Sequence, residues 1–401
     1  MNVLFLTLCE YHSINERDIY TDLLREFIKN GDQVYMISPI ERRNGKDTYI
    51  INEEHSTIIR LRIGNIQKTN IIEKGLSTIM IEPEFKRAIR KYLSNIKFDL
   101  ILYSTPPITL VSAIEYVKKK DQARTYLLLK DIFPQNAVDM GMMKEGSVLH
   151  SIFRRKEKHL YEISDFIGCM SQANVDYVIG HNPQIDPEIV EICPNSIEII
   201  DKSVDKDTRD EIRKKYGIPT DKKVFIYGGN LGKPQGIPFM LECIKACKDE
   251  QDILFLIIGD GTEYGTIEKH IQTDKQANLM LMKRLPKDDY DTMVGACDAG
   301  MIFLDHRFTI PNFPSRLLSY MQAKIPVLAC TDTSSDIGKI ITEHGFGWYC
   351  ESNDIKGFTE CIRQIREADL NAKGTNSWNA LIELYDAEKA YGTIIRRIKG
   401  A

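Results

Sequence analysis

The feature that most limits what this chain can fold into is a repeated alternation. Short runs of apolar, often β-branched residues are each followed by a longer stretch with apolar residues at three- and four-residue spacing. The first half carries such runs at Val3–Leu8, Gln33–Ser38, Asp99–Ser104, Thr125–Leu129 and Phe166–Met170. The second half carries them at Lys223–Tyr227, Ile253–Ile258, Leu279–Lys283, Gly300–Leu304, Val327–Cys330 and Phe346–Cys350. Runs with little polar alternation bury both faces, as strands do in parallel sheets covered by helices. The pattern predicts α/β architecture with right-handed crossovers.

The 401 residues suit two domains of about 150–200 residues each. A charged segment over 201–222, poor in large apolar residues, reads as a linker with a short amphipathic helix, and the second sheet begins afresh at Val224. The expected division is a first domain over 1–200 and a second over 205–376. A last helix over 377–401, capped by Ser377, has an apolar face too rich for solvent and is expected to pack back on the first domain.

Composition narrows the class. A formal net charge of −4 gives no pull toward nucleic acid. Nine cysteines are scattered without a Cys-x-x-Cys pair or a histidine cluster, and read as small buried hydrophobes in a reducing compartment. Met1–Leu6 lacks the basic start of a signal peptide, and Glu10 interrupts the apolar run. No stretch approaches the roughly 18–20 apolar residues that cross a bilayer. A cytoplasmic protein is expected, with room for peripheral contact at the inner face of the membrane. Two basic amphipathic stretches, Phe85–Lys97 and Phe153–Lys158, suit anionic lipid headgroups.

Three strand-to-helix junctions carry chemistry. Gly228-Gly229-Asn230-Leu231-Gly232-Lys233-Pro234-Gln235-Gly236 follows a strand and opens a helix. Glycines there let a ligand approach the backbone, and a helix N-terminus offers free N–H groups to phosphate. It is neither a Walker loop nor a dinucleotide fingerprint. Gly259-Asp260-Gly261 ends the next strand, where open α/β sheets bind ligands. In Pro311-Asn312-Phe313-Pro314-Ser315-Arg316-Leu317-Leu318-Ser319 the prolines signal a helix start that Ser315 or Asn312 can cap. Arg316 then stands in the first turn, an unfavourable place for a cation unless an anion shares it. Successive junctions of one domain converge on one edge and point to one phosphorylated ligand.

These residues resemble those of retaining glycosyltransferases of the GT-B fold, in the large family 4 that includes capsule and O-antigen enzymes. Gly228–Gly236 matches the family's phosphate loop and Gly259-Asp260-Gly261 its next turn. Thr309–Leu318 with Pro326-Val327 resembles the donor-site helix of a bacterial polysaccharide subgroup. Lys130-Asp131-Ile132-Phe133-Pro134-Gln135, Ser171 and Pro194-Asn195-Ser196 fit the first domain. The resemblance implies two Rossmann-like domains with parallel sheets facing a central cleft. It implies a nucleotide-sugar co-substrate, most often a UDP-sugar, no further cofactor, and a saccharide or polyprenyl-diphosphate-linked acceptor. The chain departs from the pattern where the family carries two glutamates eight residues apart, which fall on Pro311 and Ser319. The loop's usual arginine and lysine fall on Asn230 and Gln235.

Donor contacts are therefore expected from Gly228, Gly229, Asn230, Gly232, Lys233, Gly259, Asp260, Gly261, Ser315, Arg316, Leu317 and Ser319, with the base near Arg284 and Leu285. Lys233 and Arg316 are the expected cations for the leaving diphosphate, where charge grows in the transition state. Asp131 is the candidate for the acceptor proton, and His12, Asn15, Arg17 and Lys130 are placed on the acceptor side. Asp205-Lys206-Asp207 lies in the linker and Asp289-Tyr290-Asp291 opens a helix, so neither reads as a metal site. A non-hydrolysing sugar-nucleotide epimerase and a non-catalytic nucleotide-sugar-binding subunit remain as alternatives. A dehydrogenase would need a fingerprint near residue 10 that is missing.

Overall fold

The computed structural model describes residues 1–66 and 70–400, with backbone alone at 71–72 and 74–76. The chain forms two compact units, Met1–Glu198 with Ala387–Ala401, and Ile199–Asp386.

In the first unit the order is β1 (Asn2–Leu6), α1 (Ile19–Lys29), β2 (Gln33–Glu41), β3 (Tyr49–Glu53), β4 (Ser56–Ile63), α2 (Ile71–Tyr92), β5 (Leu100–Ser104), α3 (Val111–Asp121), β6 (Arg124–Leu129), α4 (Gln135–Asp139), α5 (Val148–Glu162), β7 (Phe166–Cys169), α6 (Gln172–His181) and β8 (Val190–Ile192). Its eight strands lie in the order β3-β4-β2-β1-β5-β6-β7-β8, all parallel except β3 against β4. The apolar runs fill the middle: Val3, Phe5, Leu100, Leu102, Tyr126 and Leu128 form one core with Leu23, Leu24 and Phe27 of α1. The β3–β4 hairpin has no counterpart in the apolar-run reading. Arg60 and Arg62 interrupt β4, and its tight turn is Glu54-His55, where His55 takes φ +58° in place of the glycine that usually marks such a turn. Arg60 is nevertheless fully buried.

The second unit follows with α7 (Lys206–Lys215), β9 (Lys223–Asn230), α8 (Ile237–Ala246), β10 (Ile253–Asp260), α9 (Tyr264–Asp274), β11 (Leu279–Met282), α10 (Lys287–Gly295), β12 (Ala299–Phe303), α11 (Arg316–Gln322), β13 (Val327–Thr331), α12 (Ile337–Glu343), β14 (Gly347–Glu351), α13 (Ile355–Glu367) and α14 (Leu370–Leu384). Its six strands run β11-β10-β9-β12-β13-β14, all parallel. Phe225, Tyr227, Phe255, Ile257, Met301 and Phe303 pack against α8 and α13 through Ile237, Met240, Phe358 and Ile362. All nine cysteines are free and eight are buried.

The tail differs from the expectation of one helix over 377–401. Ser377 is fully buried inside α14, which Asp369 caps by accepting from the Asn371 and Ala372 N–H groups. The chain breaks at Tyr385-Asp386, and α15 (Ala387–Gly400) is the part that joins the first unit. A small-residue face (Gly374, Ser377, Ala380) drives the early half into the second unit. Ala390 and Ile394 bury the later half in the first.

Each sheet has one point where the strand order reverses, and open α/β sheets bind ligands outside the carboxyl ends of the strands there. In the first unit the loops after β1 and β5 flank that point. In the second unit the loops after β9 and β12 do, and these are the stretches that hold the glycine-rich turn and lead to Arg316.

Candidate functional site

The second unit's site is built on backbone packed too closely for side chains. β9 and β10 pair in parallel to their ends, with Gly228 opposite Ile258, Gly229 opposite Gly259 and Asn230 opposite Asp260. A Cβ on Gly259 would lie 2.0 Å from the Gly229 carbonyl oxygen, and one on Gly228 would overlap the Tyr290 ring. Gly229 itself takes φ +122°, a conformation open to glycine and strained for other residues.

Beyond Gly229 the chain is held from both sides. Leu231 N–H donates to the Asp260 carbonyl at 2.9 Å, and Asp305 N–H, just past β12, donates to the Pro234 carbonyl at 2.9 Å. Gln235 Oε1 accepts from Gly232 N–H at 3.1 Å and from Asn230 Nδ2 at 3.2 Å. Lys233 is exposed at the tip, with no ion pair among the described residues. Arg307 forks onto Asp305, with Nε and Nη2 each 2.8 Å from a carboxylate oxygen.

Arg316 reaches back to this turn from the start of α11. Its guanidinium carbon stands 4.3 Å from the centre of the Tyr227 ring, a cation–π contact. Its Nη2 is 3.6 Å from where a Cβ on Gly229 would be. Its Nη1 is buried and has no hydrogen-bond partner among the described residues. Tyr320 lies beneath, fully buried, its hydroxyl donating to the Met301 carbonyl at 3.0 Å and tying β12 toward β9. The arginine is thus packed and oriented, not a mobile surface cation. The tyrosines were invisible to spacing arguments. Tyr227 only precedes the glycines, and Tyr290 sits in the Asp-x-Asp that drew attention for its acids.

A pocket of about 400 Å³ opens beside the glycine pair, lined by Gly229, Asn230, Gly259, Asp260, Arg284, Leu285 and Tyr290, among others. Gly261 follows, its N–H bonded to Asp260 Oδ1 at 2.9 Å. Most of the expected donor residues are therefore neighbours, but three details are corrected. Leu317 is fully buried and its N–H is spent on the Pro314 carbonyl, so it serves the core. Ser315 makes no capping bond, and Asn312 Nδ2 turns to the Ile310 carbonyl, so neither caps α11. Ser319 is half-buried. Of the Asp-x-Asp pairs, Asp205 caps α7, and Asp291 pairs with Lys202 at 2.6 Å and Lys287 at 2.8 Å.

In the first unit, the loop after β1 is anchored from below. Tyr11 N–H donates to Ser38 Oγ at 2.9 Å, and buried Arg60 donates to the Tyr11 carbonyl. His12 and Asn15 are exposed on this loop. Arg17 lies 3.7 Å from Glu198, which also pairs with Arg25, so its charge is already answered by the protein. Asp131 stands just past β6. Thr105, just past β5, accepts from both the Lys130 and Asp131 N–H groups through its hydroxyl, at 3.0 and 3.1 Å, and donates to the Asp131 carbonyl at 2.8 Å. Burial raises the Asp131 pKa from 3.8 to about 6, against the lowering effect of bonds from Ile132 N–H and Asn136 Nδ2. Lys130 turns its ammonium to the Cys193 carbonyl at 3.1 Å, and burial lowers its pKa. It is held by backbone instead of being presented to a ligand.

Comparison with known proteins bears on both units. Residues 208–378 match the family model described as glycosyl transferases group 1. A probable glycosyltransferase WbjE of Pseudomonas aeruginosa is 28% identical over 77% of this chain and 75% of its own length. The putative colanic acid biosynthesis glycosyl transferase WcaI of Escherichia coli (strain K12) is 23% identical over 67% of this chain and 66% of its own. A UDP-Gal:alpha-D-GlcNAc-diphosphoundecaprenol alpha-1,3-galactosyltransferase of Escherichia coli is 21% identical over about half of each, 51% and 52%. The crystal structure of Anabaena Alr3699/HepE in complex with UDP superposes with a TM-score of 0.69 at 13% identity, covering all of both chains. With two sheets of mainly parallel strands, a glycine-walled turn at a sheet switch point and a match to the group 1 glycosyl transferases over residues 208–378, this chain has the GT-B fold and resembles the glycosyltransferases that share it.

Proposed function

We propose that the second unit binds a UDP-sugar and that the chain transfers its sugar, with retention of anomeric configuration and without a divalent metal, to a saccharide carried on a polyprenyl diphosphate during surface polysaccharide assembly. One observation carries the reading: Arg316, fixed on the Tyr227 ring beside Gly229, keeps a guanidinium nitrogen without a partner at the sheet's switch point. Departure of a nucleoside diphosphate builds negative charge on phosphate, and a preoriented cation stabilises that charge without reorganising. Lys233 adds a second cation on the turn, and the 400 Å³ pocket beside Arg284 and Leu285 suits the base. The diphosphoundecaprenol acceptor in the name of one relative supports the acceptor class, and UDP bound in a neighbour of the same fold supports the donor. Asp131, with a pKa near neutral, is positioned to take the acceptor proton. The protein then acts in the cytoplasm, at the inner face of the membrane where its acceptor is anchored.

The test is a thermal-shift titration of the wild-type chain with UDP and other nucleotides, followed by NMR of the product formed from a panel of UDP-sugars. Stabilisation of about 2.7 kcal/mol is expected at a hundred times the dissociation constant. Absence of a shift with every uridine nucleotide, or an inverted anomeric centre in the product, would defeat the corresponding part of the reading.

A further inference from the structure

The sheet of the first unit ends on a strand with an open side. β3 is the outermost strand, and it pairs with β4 from Tyr49 against Arg60 to Glu53 against Ser56. Thr48 and Asp47 continue alongside β4: Arg62 N–H donates to Thr48 Oγ1 at 3.0 Å, and Arg62 Nη1 donates to Asp47 Oδ1 at 2.7 Å. The extended edge thus runs from residue 47 to residue 53. Edge strands are commonly guarded by a proline or an outward lysine, and β3 holds neither residue.

Hairpin geometry fixes which groups on that edge lack a ladder partner. The two-residue turn Glu54-His55 joins Glu53 to Ser56, so Glu53, Ile51 and Tyr49 exchange hydrogen bonds with β4. The N–H and C=O groups of Thr48, Ile50 and Asn52 alternate with these and point away from β4. The side chains of the same three residues share one face of the strand. On that face Ile50 is 43% exposed, and Asn52 is exposed as well.

The order of residues along the edge identifies what fits it. At alternate positions it reads Lys46, Thr48, Ile50, Asn52 and Glu54: a cation, a polar residue, an apolar one, a polar one and an anion. This order complements itself when reversed. A second antiparallel copy, related by a twofold axis at Ile50, sets Ile50 against Ile50, Thr48 against Asn52 and Lys46 against Glu54. The same register brings outward N–H groups to outward C=O groups, so backbone and side chains agree on it. Lys46 is exposed and makes no ion pair among the described residues. Glu54 is 93% exposed at its side chain, with His55 Nε2 at 3.9 Å. Asp47 and Glu53 would face each other, but both are answered within their own chain. Arg62 pairs with Asp47, and Ser13 Oγ and Ile14 N–H donate to Glu53.

We infer that two copies of this chain pair through β3, antiparallel about Ile50, so that one first-unit sheet continues into the other. The partner is a second copy because the edge is complementary, in both charge order and hydrogen-bond register, to its own sequence. A contact made by one strand from each copy is small beside a standard interface, so the dimer dissociates on dilution.

The experiment is sedimentation velocity of the full chain over a concentration series. Wild type is expected to show a monomer–dimer equilibrium. Ile50→Lys sets two ammonium groups opposite each other on the axis and should weaken the dimer by about tenfold or more. Ile50→Pro removes an outward N–H and no bond to β4, and should do the same. Lys46→Glu should weaken the dimer by about tenfold, and adding Glu54→Lys should restore it to within about threefold of wild type. A role of Lys46 in the fold alone would give no such rescue. Ile50→Lys and both charge variants should keep the wild-type Tm, which separates loss of the dimer from loss of the fold. Wild type sedimenting as a monomer throughout, a dimer that these variants leave intact, or a double charge swap no better than Lys46→Glu alone overturns the inference.

Discussion

Replacing Arg316 with alanine removes the cation that reaches from the helix after β12 to the glycine turn. Two energies compete in the outcome. In the free protein the guanidinium gains a cation–π contact of about 0.5–2 kcal/mol with Tyr227, but it leaves Nη1 buried and unpartnered, a cost of about 1–3 kcal/mol. These nearly cancel, so unfolding stability should move by no more than about 1 kcal/mol in either direction. Under the proposed function the same group gains a charge-assisted bond to phosphate of about 1.5–3 kcal/mol in the transition state, and nothing offsets its loss. The kcat/KM should therefore fall by about 10²-fold, with the UDP thermal shift reduced. Arg316→Lys should recover only part, because an ammonium cannot reproduce the planar stacking on Tyr227. The assay is UDP release together with product formation at low donor concentration. A folded alanine variant with wild-type kcat/KM would show that donor phosphates do not meet this residue.

Asp131 gives a pH prediction. Its folded pKa is raised from 3.8 to about 6, so its contribution to stability is complete below 3.8 and is lost as pH rises through about 6. The shift corresponds to at most about 3 kcal/mol. Asp131→Asn should thus raise Tm more at pH 8 than at pH 4, while abolishing an activity limb that rises through about pH 6 in the wild type; an unchanged limb in the variant removes Asp131 from proton transfer. Gly259→Ala drives a methyl to within 2.0 Å of the Gly229 carbonyl and should cost about 2 kcal/mol or more, measured by denaturant unfolding, with loss of UDP binding. Leu317→Ala should destabilise by about 2–5 kcal/mol yet leave KM for the donor unchanged in the folded fraction; a raised KM would restore Leu317 to the donor site. Turnover should persist in EDTA, and its abolition would overturn the metal-free mechanism.

The parallel sheets were readable because strands buried on both faces, such as Ile253–Ile258 or Leu100–Leu102, must be apolar throughout. β3 and β4 were not readable. One is an edge strand with alternating exposure, and the other buries Arg60, which no hydropathy pattern marks as interior. The glycine turn and Arg316 could be linked from sequence because both adjoin strand ends of one sheet. Their physical connection could not: Tyr227, Tyr290 and Tyr320 meet only after the helices pack, and each alone looks like an ordinary core aromatic. Lys130 and Leu317 were misjudged for the same reason. A residue beside a loop was assumed to face a ligand, whereas the backbone directs its side chain inward.

The route of the chain has a consequence for how the protein is made. Residues 199–386 form one continuous unit inserted within the other, whose last helix is supplied only from Ala387 onward. That helix is no ornament: Tyr391 packs edge-on to Phe27 at 4.9 Å, Arg397 pairs with Glu191 at 3.0 Å, and Ala387 N–H bonds to the Ile197 carbonyl at 3.0 Å. During synthesis the inserted unit can finish folding while its host still has a bare stripe along α1. The nascent host therefore passes through a sticky interval, open to aggregation or chaperone capture, that ends when residues 387–400 emerge. A truncation at Asp386 would make that interval permanent, whereas a fragment of residues 199–386 carries all its own strands and helices.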